Sequence, residues 1–323
     1  MPTVSPSIGL FGKLPSHPDF IRHMAGGEAA RRLDSWHSDG LAHLRRIHRG
    51  DWESRFDAAP PVQFVVQAES QHALVGVCAP SRDSTGRRYP ISVFATIPVG
   101  RSNARGEWLP VLCGQFLNLV RRELGAALRA ESGADLTQFA DRMVPFLDKA
   151  ILADSRSTPE TIANATMQSF WTGILGDFAD RRKYVVIKNL FGVMVPLRGG
   201  DTTRLSAALN LPTGGDPDEA HVVSALWARL CTAVSGHPRL PNLSLFWRES
   251  MATPQRGECF IALRPPSVGL WCTVIAGSPA NDSFLETDTP NDEPQAARSV
   301  LGERLASALD DPDLNMLAFI KRI

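Results

Sequence analysis

The 323-residue chain has no surplus of either charge: 34 Lys and Arg stand against 34 Asp and Glu. General nucleic-acid binders carry a basic excess, so that class of partner is excluded. There is equally little net charge to draw the chain onto an anionic membrane. No apolar run approaches the roughly 18 residues that read as a membrane span, which excludes direct membrane insertion. Met1 to Leu14 shows no charged start followed by an apolar block, so no secretory leader is expected. Cysteine is scarce. Cys78, Cys113, Cys231, Cys259 and Cys272 are odd in number and include no CxxC pair. Reduced thiols in an apolar core are expected, and a cytoplasmic location with them.

What is present is an ordinary globular composition. At roughly 150 residues per domain the length suggests about two domains. Such a chain buries a core without metals or disulfides. A short apolar strand, Ser7 to Leu14, leads into a turn-rich stretch, Pro15 to Gly27. An amphipathic helix follows from about Glu28 to His48, with Leu33, Trp36, Leu41, Leu44 and Ile47 on its apolar side. Val62 to Gln67, His72 to Ala79 and Arg88 to Val99 alternate as strands. A helix is predicted over Leu109 to Arg129. The first block therefore reads β-α-β-β-β-α.

The middle is helical, with one helix opening at Ser157-Thr158-Pro159-Glu160. Strands are then expected at Tyr184 to Ile187 and Leu190 to Leu197, and a helix at His221 to Val234. Strands at Leu243 to Trp247, Cys259 to Leu263 and Leu270 to Ile275 precede a last helix, Ala296 to Leu309. From Leu190 the order is again β-α-β-β-β-α. It is either a structural duplication or an unremarkable order. Phe64-Val65-Val66 echoes Leu245-Phe246-Trp247, and Ala79-Pro80-Ser81 echoes Pro265-Pro266-Ser267. Asp201 to Glu219 reads as a loop. Ala276 to Gln295 does too, with five acids (Asp282, Glu286, Asp288, Asp292, Glu293) and no base. Strands in direct succession form an antiparallel meander.

The expected architecture is α/β. Residues 1–132 form an N-terminal α-β-α layer around an antiparallel meander sheet. Residues 133–182 are a helical connector. Residues 183–323 form a C-terminal α/β domain of similar element order.

Catalytic patterns are absent. There is no GxSxG and no GxGxxG after a strand. Gly9-Leu10-Phe11-Gly12-Lys13-Leu14 only superficially suggests a phosphate loop: two residues, not four, separate the glycines, and Leu14 has no hydroxyl for magnesium. Six of the eight histidines precede residue 75. Among His37, His43 and His48 no pair has the i,i+4 spacing of a helical metal site. No catalytic residue, metal ligand or cofactor is expected.

Two segments are unusual for scaffold. The first runs Gly9-Leu10-Phe11-Gly12-Lys13-Leu14-Pro15-Ser16-His17-Pro18-Asp19-Phe20. The second is Pro80-Ser81-Arg82-Asp83-Ser84-Thr85-Gly86-Arg87-Arg88-Tyr89-Pro90. Each joins Gly and Pro to a charged group beside an aromatic. Physics alone favours turn chemistry, in which Gly12 and Gly86 permit special backbone angles and Asp19 and Asp83 bond back to the chain. The functional reading is a binding surface formed by both turns.

The order and spacing of these segments resemble the two signatures of the type VI secretion system-associated TagF (ImpM) family. The first is roughly G-x-F-G-K-x-P-x-x-G-D-F and the second P-S-x-D-x-x-G-R-x-[FY]-P. Trp36 and the Pro61 to Phe64 strand are also in step. The match covers residues 7 to about 100. Pro18 replaces the usual glycine, and its fixed φ changes the turn there. The resemblance implies a longin-like N-terminal domain. It also implies a cytoplasmic accessory protein, a post-translational repressor of type VI secretion that acts by protein binding and performs no chemistry. The implied partner is the system's forkhead-associated scaffold protein. On the reading that the two turns form the docking surface, the candidate partner-binding residues are Phe11, Gly12, Lys13, Pro15, Asp19, Phe20, Pro80, Ser81, Asp83, Gly86, Arg87, Tyr89 and Pro90. The alternatives are a structural subunit of the secretion apparatus and, behind it, a nucleotide-binding or hydrolytic enzyme.

Overall fold

The computed structural model describes residues 8–67, 72–99, 105–129, 136–153, 158–201, 204–237, 240, 242–251, 256–278 and 284–323. Among these residues nine strands form one sheet: β1 (Ile8–Gly12), β2 (Ile21–His23), β3 (Val62–Val66), β4 (His72–Ala79), β5 (Ile91–Pro98), β6 (Ala208–Gly214), β7 (Ser244–Glu249), β8 (Gly257–Ala262) and β9 (Phe284–Glu286). Their order is β2-β1-β5-β4-β3-β7-β8-β6-β9. Every pairing is antiparallel except β6 with β9. The protein is thus mixed α/β around a large, mostly antiparallel sheet, with the expected β3-β4-β5 meander at its centre.

Among the described residues, thirteen α-helices surround it. In the first half are α1 (Glu28–Ile47), α2 (Trp52–Ala58), α3 (Leu109–Leu112) and α4 (Gly114–Arg129). Next come α5 (Leu136–Met143), α6 (Asp148–Leu152), α7 (Glu160–Ala163) and α8 (Met167–Leu175). The remainder are α9 (Arg182–Met194), α10 (Ala220–Val234), α11 (Val268–Ala276), α12 (Pro294–Leu309) and α13 (Met316–Arg322).

The central strands are apolar on both sides because helices cover both sides. Along β3 and β4, Val62, Phe64, Leu74 and Cys78 feed one core, and Val65, Ala73, Val75 and Val77 feed the other. That is the period of two that a pleated strand imposes. Each core takes helices from both halves of the chain. α1 and α11 close one face, while α4 and α10 lie in the core of the other. The two echoed segments meet at the seam between the halves. Phe64 is opposite Phe246, and Val65 is opposite Leu245.

Contact between α1 and α11 is unusually close. The Trp271 ring lies over Gly40, where an added Cβ would stand 2.2 Å from the indole. Trp271 Nε1 donates to His37 Nδ1 at 2.9 Å, so the imidazole proton sits on Nε2 and points to Ser92 Oγ, also 2.9 Å away. Trp36 Nε1 donates to the Ser267 carbonyl at 2.9 Å. These bonds tie helix 1 of the first half to the second half.

Several elements differ from their sequence reading. Tyr184 to Ile187 and Leu190 to Leu197 are not strands; most of that stretch is helix α9. The β-branched run Val185-Val186-Ile187 suggests a strand locally. Burial of Tyr184, Ile187, Leu190 and Met194 at helical steps decides otherwise. Leu270 to Ile275 is likewise helical, as α11. It is capped by Ser267 Oγ accepting from Leu270 N and closed by Gly277 in the left-handed region. Buried nearly all round, it offers no polar face to reveal its period. The Asp201–Glu219 stretch, read as loop, contains β6. Pro212 is accommodated by a register shift between Pro212 and Gly214. The second half thus begins β6-α10-β7-β8, and a helix replaces the third meander strand.

The helix read from Ser157 is two. Ser157 itself lies outside the described residues. α7 is a single turn, and α8 has its own capping box, in which Thr166 and Ser169 exchange bonds. The helix over Leu109–Arg129 is broken at Cys113 into α3 and α4. The acidic stretch is anchored rather than free. Asp288 pairs with Arg182 and Arg256, Asp292 with Lys188, and Glu286 accepts from Asn210. Its bases come from other elements. Asp282 lies outside the described residues.

Candidate functional site

The two unusual segments form one unit. β1 ends at Gly12, whose φ of +136° and whose contact with the Pro90 carbonyl, 2.1 Å from an added Cβ, admit no side chain. The chain then turns through Leu14–Phe20 beside the Pro80–Pro90 turn between β4 and β5. Ser81 Oγ donates to the Lys13 carbonyl at 2.6 Å, and Ser84 N donates to the His17 carbonyl at 2.9 Å.

Asp83 is the centre of this unit. Its side chain is inaccessible, with a relative exposure of 0%. Oδ1 accepts from Thr85 N, Thr85 Oγ1 and Arg87 N at 2.7–3.0 Å. Oδ2 accepts from Lys13 Nζ at 2.5 Å and Arg87 Nε at 2.7 Å. Burial pushes the Asp83 carboxyl up. The hydrogen bonds from Lys13, Thr85 and Arg87 outweigh that and hold it well below the usual carboxylate range. Arg87 in turn reaches the other turn, donating to the Pro18 carbonyl at 2.5 Å and approaching Asp19 Oδ1 at 3.4 Å. One buried carboxylate thus gathers a cation from each segment.

Next to this lock is an aromatic cluster. Phe20 stacks on Phe11 at 6.3 Å and meets Tyr89 edge-on at 5.3 Å. The Arg22 guanidinium lies over both phenylalanine rings, at 5.5 and 5.6 Å. Arg22 also pairs with Asp34 at 2.6 Å. The Tyr89 hydroxyl donates to Asp34 Oδ1 at 2.5 Å and lies 3.1 Å from Ser38 Oγ. Burial and the Asp34 carboxylate raise the Tyr89 hydroxyl's pKa.

The sequence-predicted residues therefore divide by exposure. Phe11, Gly12, Ser81, Asp83 and Pro90 are buried. Lys13, Pro15, Pro80 and Tyr89 are half-buried. Asp19 is 88% exposed and Arg87 58% exposed at their side chains, Phe20 is 37% exposed, and Gly86 is also open. Beside the turns a groove of about 360 Å³ is lined by Pro15, Pro61, Pro80, Arg82 and Leu128.

Sequence reasoning missed Arg22, Met24, Asp34 and Thr85. Met24 is 63% exposed with φ +47°, next to β2. Thr85 had a signal, since a hydroxyl two residues after an aspartate is a natural Asx-turn partner. Asp34 had none, because only packing of α1 brings it under Tyr89.

All five cysteines are free and buried. Burial drives Cys113 and Cys259 up to about 12 and Cys272 to about 11, so these thiols stay protonated. Among the described residues no group of three or more His, Cys, Asp or Glu side chains is arranged to hold a metal ion. No helix among them is long and apolar enough to cross a membrane.

Residues 9–144 match the family model described as the TagF N-terminal domain, type VI secretion system-associated. Both unusual segments lie within that stretch. Among solved structures, the crystal structure of PA0076 from Pseudomonas aeruginosa PAO1 is similar over 85% of this chain and 96% of that one, at 14% identity and a TM-score of 0.47. No curated protein matches the chain.

Proposed function

We propose that this chain is a repressor of type VI secretion that works by binding; the support is that residues 9–144 match the family model of the TagF N-terminal domain, type VI secretion system-associated. The partner in this reading is the system's forkhead-associated scaffold protein, in the cytoplasm. The chain occupies a surface of the scaffold that the machine needs and performs no chemistry.

The observation that supports this reading is the way Asp83 holds the two signature turns. The charged groups at the centre of the site satisfy one another, which leaves none poised to act on a substrate. What the lock does is fix a rim: Asp19, Phe20 and Arg87, with Met24 beyond them. An exposed aromatic flanked by a carboxylate and a guanidinium is what a protein-docking surface offers. The buried residues Phe11, Gly12, Ser81 and Asp83, with half-buried Lys13, act by holding that rim.

The test is interferometry of the purified chain against the purified scaffold. Asp19→Arg combined with Phe20→Ala is expected to weaken binding at least tenfold with unchanged melting. Lys13→Ala is expected to lower the melting temperature and weaken binding only as the fold loosens. Undiminished binding by the rim variant sinks the assignment of the surface. No binding by the unmodified chain at micromolar concentration sinks scaffold sequestration.

A further inference from the structure

A second surface lies on the C-terminal half, away from the turns. α9 and α12 pack side by side, and between them and the chain's last helix is a groove of about 370 Å³. Val234 lies at its floor, and Phe191, Val195, Leu301 and Leu305 line it. Val195 is 46% exposed, and Val300, next to Leu301, is 74% exposed.

Arg198, Arg304 and Arg322 also line the groove, and no aspartate or glutamate does. The hydrogen bonds of the first two arginines end on main-chain oxygens. Arg198 donates to Val234 and Ile323 at 3.2 and 3.1 Å, and Arg304 donates to Arg322 at 3.2 Å. Among the described residues, none of these three arginines, nor Lys321 beside them, is paired with a carboxylate side chain. Other cations of this half are paired: Arg182 and Arg256 with Asp288, Lys188 with Asp292, and Arg298 with Glu303, while Arg181, Arg204, Arg229 and Arg264 carry no such pair among the described residues. The whole chain is neutral. Arg304 and Arg322, with Lys321 beside them, place positive charge around the apolar lining, and no acidic side chain lines the groove with them.

We propose that this groove docks an acidic amphipathic helix of a partner protein. Its apolar side chains, at i, i+3 or i+4, and i+7, would fill the trough between Val195 and Leu305. Aspartate or glutamate on its flanks would meet Arg198, Arg304 and Arg322. Burial supplies the attraction, and the charges supply orientation and rate of encounter. Three other occupants fit less well. A second copy meeting face to face would set the same arginines against each other. A membrane surface favours protruding Trp and Phe anchors, whereas this site is a concave trough. A nucleic-acid backbone gains nothing from an apolar floor.

The probe is a fluorescein-labelled Leu/Glu amphipathic peptide of about 18 residues, or five helical turns. Its Leu/Lys counterpart is the control. Binding to the full chain is read by anisotropy. The Glu peptide is expected to bind and the Lys peptide not to. Affinity is expected to fall at least tenfold between about 50 and 300 mM salt. Arg304→Glu with Arg322→Glu, and separately Val195→Asp, are expected to weaken the Glu peptide at least tenfold with unchanged melting. Failure of the Glu peptide to bind, or equal binding by all variants, overturns the proposal. So does concentration-dependent dimerisation in light scattering that the arginine variant abolishes, which would assign the face to a second copy. Sedimentation with phosphatidylserine vesicles that the same variants lose would assign it to lipid.

Discussion

His37 is fully buried, and protonating it would disturb the contact between the two halves of the chain. Its Nδ1 accepts from the Trp271 indole and its Nε2 donates to Ser92, so a second ring proton would face an N–H donor. Burial, opposed only weakly by the nearby Asp34 carboxylate, pushes its pKa from an ordinary 6.5 down to about 3. The unfolded chain binds this proton below pH 6.5 and the folded chain does not. Stability from the neutral imidazole is therefore complete above the unfolded pKa. It is lost as pH falls through the window from 6.5 to about 3. The slope within that window is about 1.4 kcal/mol per pH unit. Between pH 7.5 and 4.5, His37 alone removes about 3 kcal/mol, a large share of a typical domain's stability.

The assay is urea unfolding at both pH values, for the unmodified chain and for His37→Asn. The asparagine Oδ1 keeps an acceptor for Trp271 but binds no proton. The variant is expected to be weaker at pH 7.5 by about 1–3 kcal/mol, because Ser92 loses its donor. Its further loss on acidification is expected to be about 3 kcal/mol smaller. His221, also held low by burial, and all other groups are common to both proteins and cancel in the difference. An acid-induced loss equal in the two proteins, within about 1 kcal/mol, would refute the reasoning. So would an imidazole NMR signal for His37 that titrates near pH 6.

Three other outcomes are expected. Gly40→Ala forces a methyl into the Trp271 ring and should cost about 1–3 kcal/mol in urea unfolding, with near-ultraviolet circular dichroism reporting the displaced indole; an unchanged midpoint contradicts the contact. Gly12→Ala should lower the melting temperature and expose the Pro80–Pro90 turn to proteolysis, since neither φ nor space admits a side chain. The five thiols should react with a disulfide reagent only on unfolding, in one phase tracking loss of ellipticity; fast reaction of any one in the native protein would place it at the surface.

Period and punctuation were enough to place many elements. Leu33, Trp36, Leu41 and Leu44 mark α1 by their spacing, and the meander follows from alternation in three successive runs. The two turns could be singled out because Gly, Pro and Asp at fixed offsets are chemically demanding in themselves. The local pattern failed where burial is complete. α11 has no polar face, so six successive buried residues resemble a strand as well as a helix, and only its place against Gly40 and His37 decides. Val185-Val186-Ile187 prefers a strand on its own, and packing of α9 against α12 overrides that preference. β6 carries a proline that argues against a strand until β8 supplies a partner and a register shift absorbs it.

The site divides along the same line. Sequence alone determined that Lys13, Asp19, Asp83 and Arg87 belong to two turns of unusual chemistry, because those features are local to each segment. It did not determine that Lys13 and Arg87 converge on one buried carboxylate, nor that Asp34 and Arg22 complete the aromatic cluster. Those relations join residues far apart in the chain, and β1 lies beside β5 only because the sheet closes that way. The seam was beyond the sequence for the same reason. Phe64 and Phe246 are each ordinary strand residues, and only the pairing of β3 with β7 makes one sheet of the two halves.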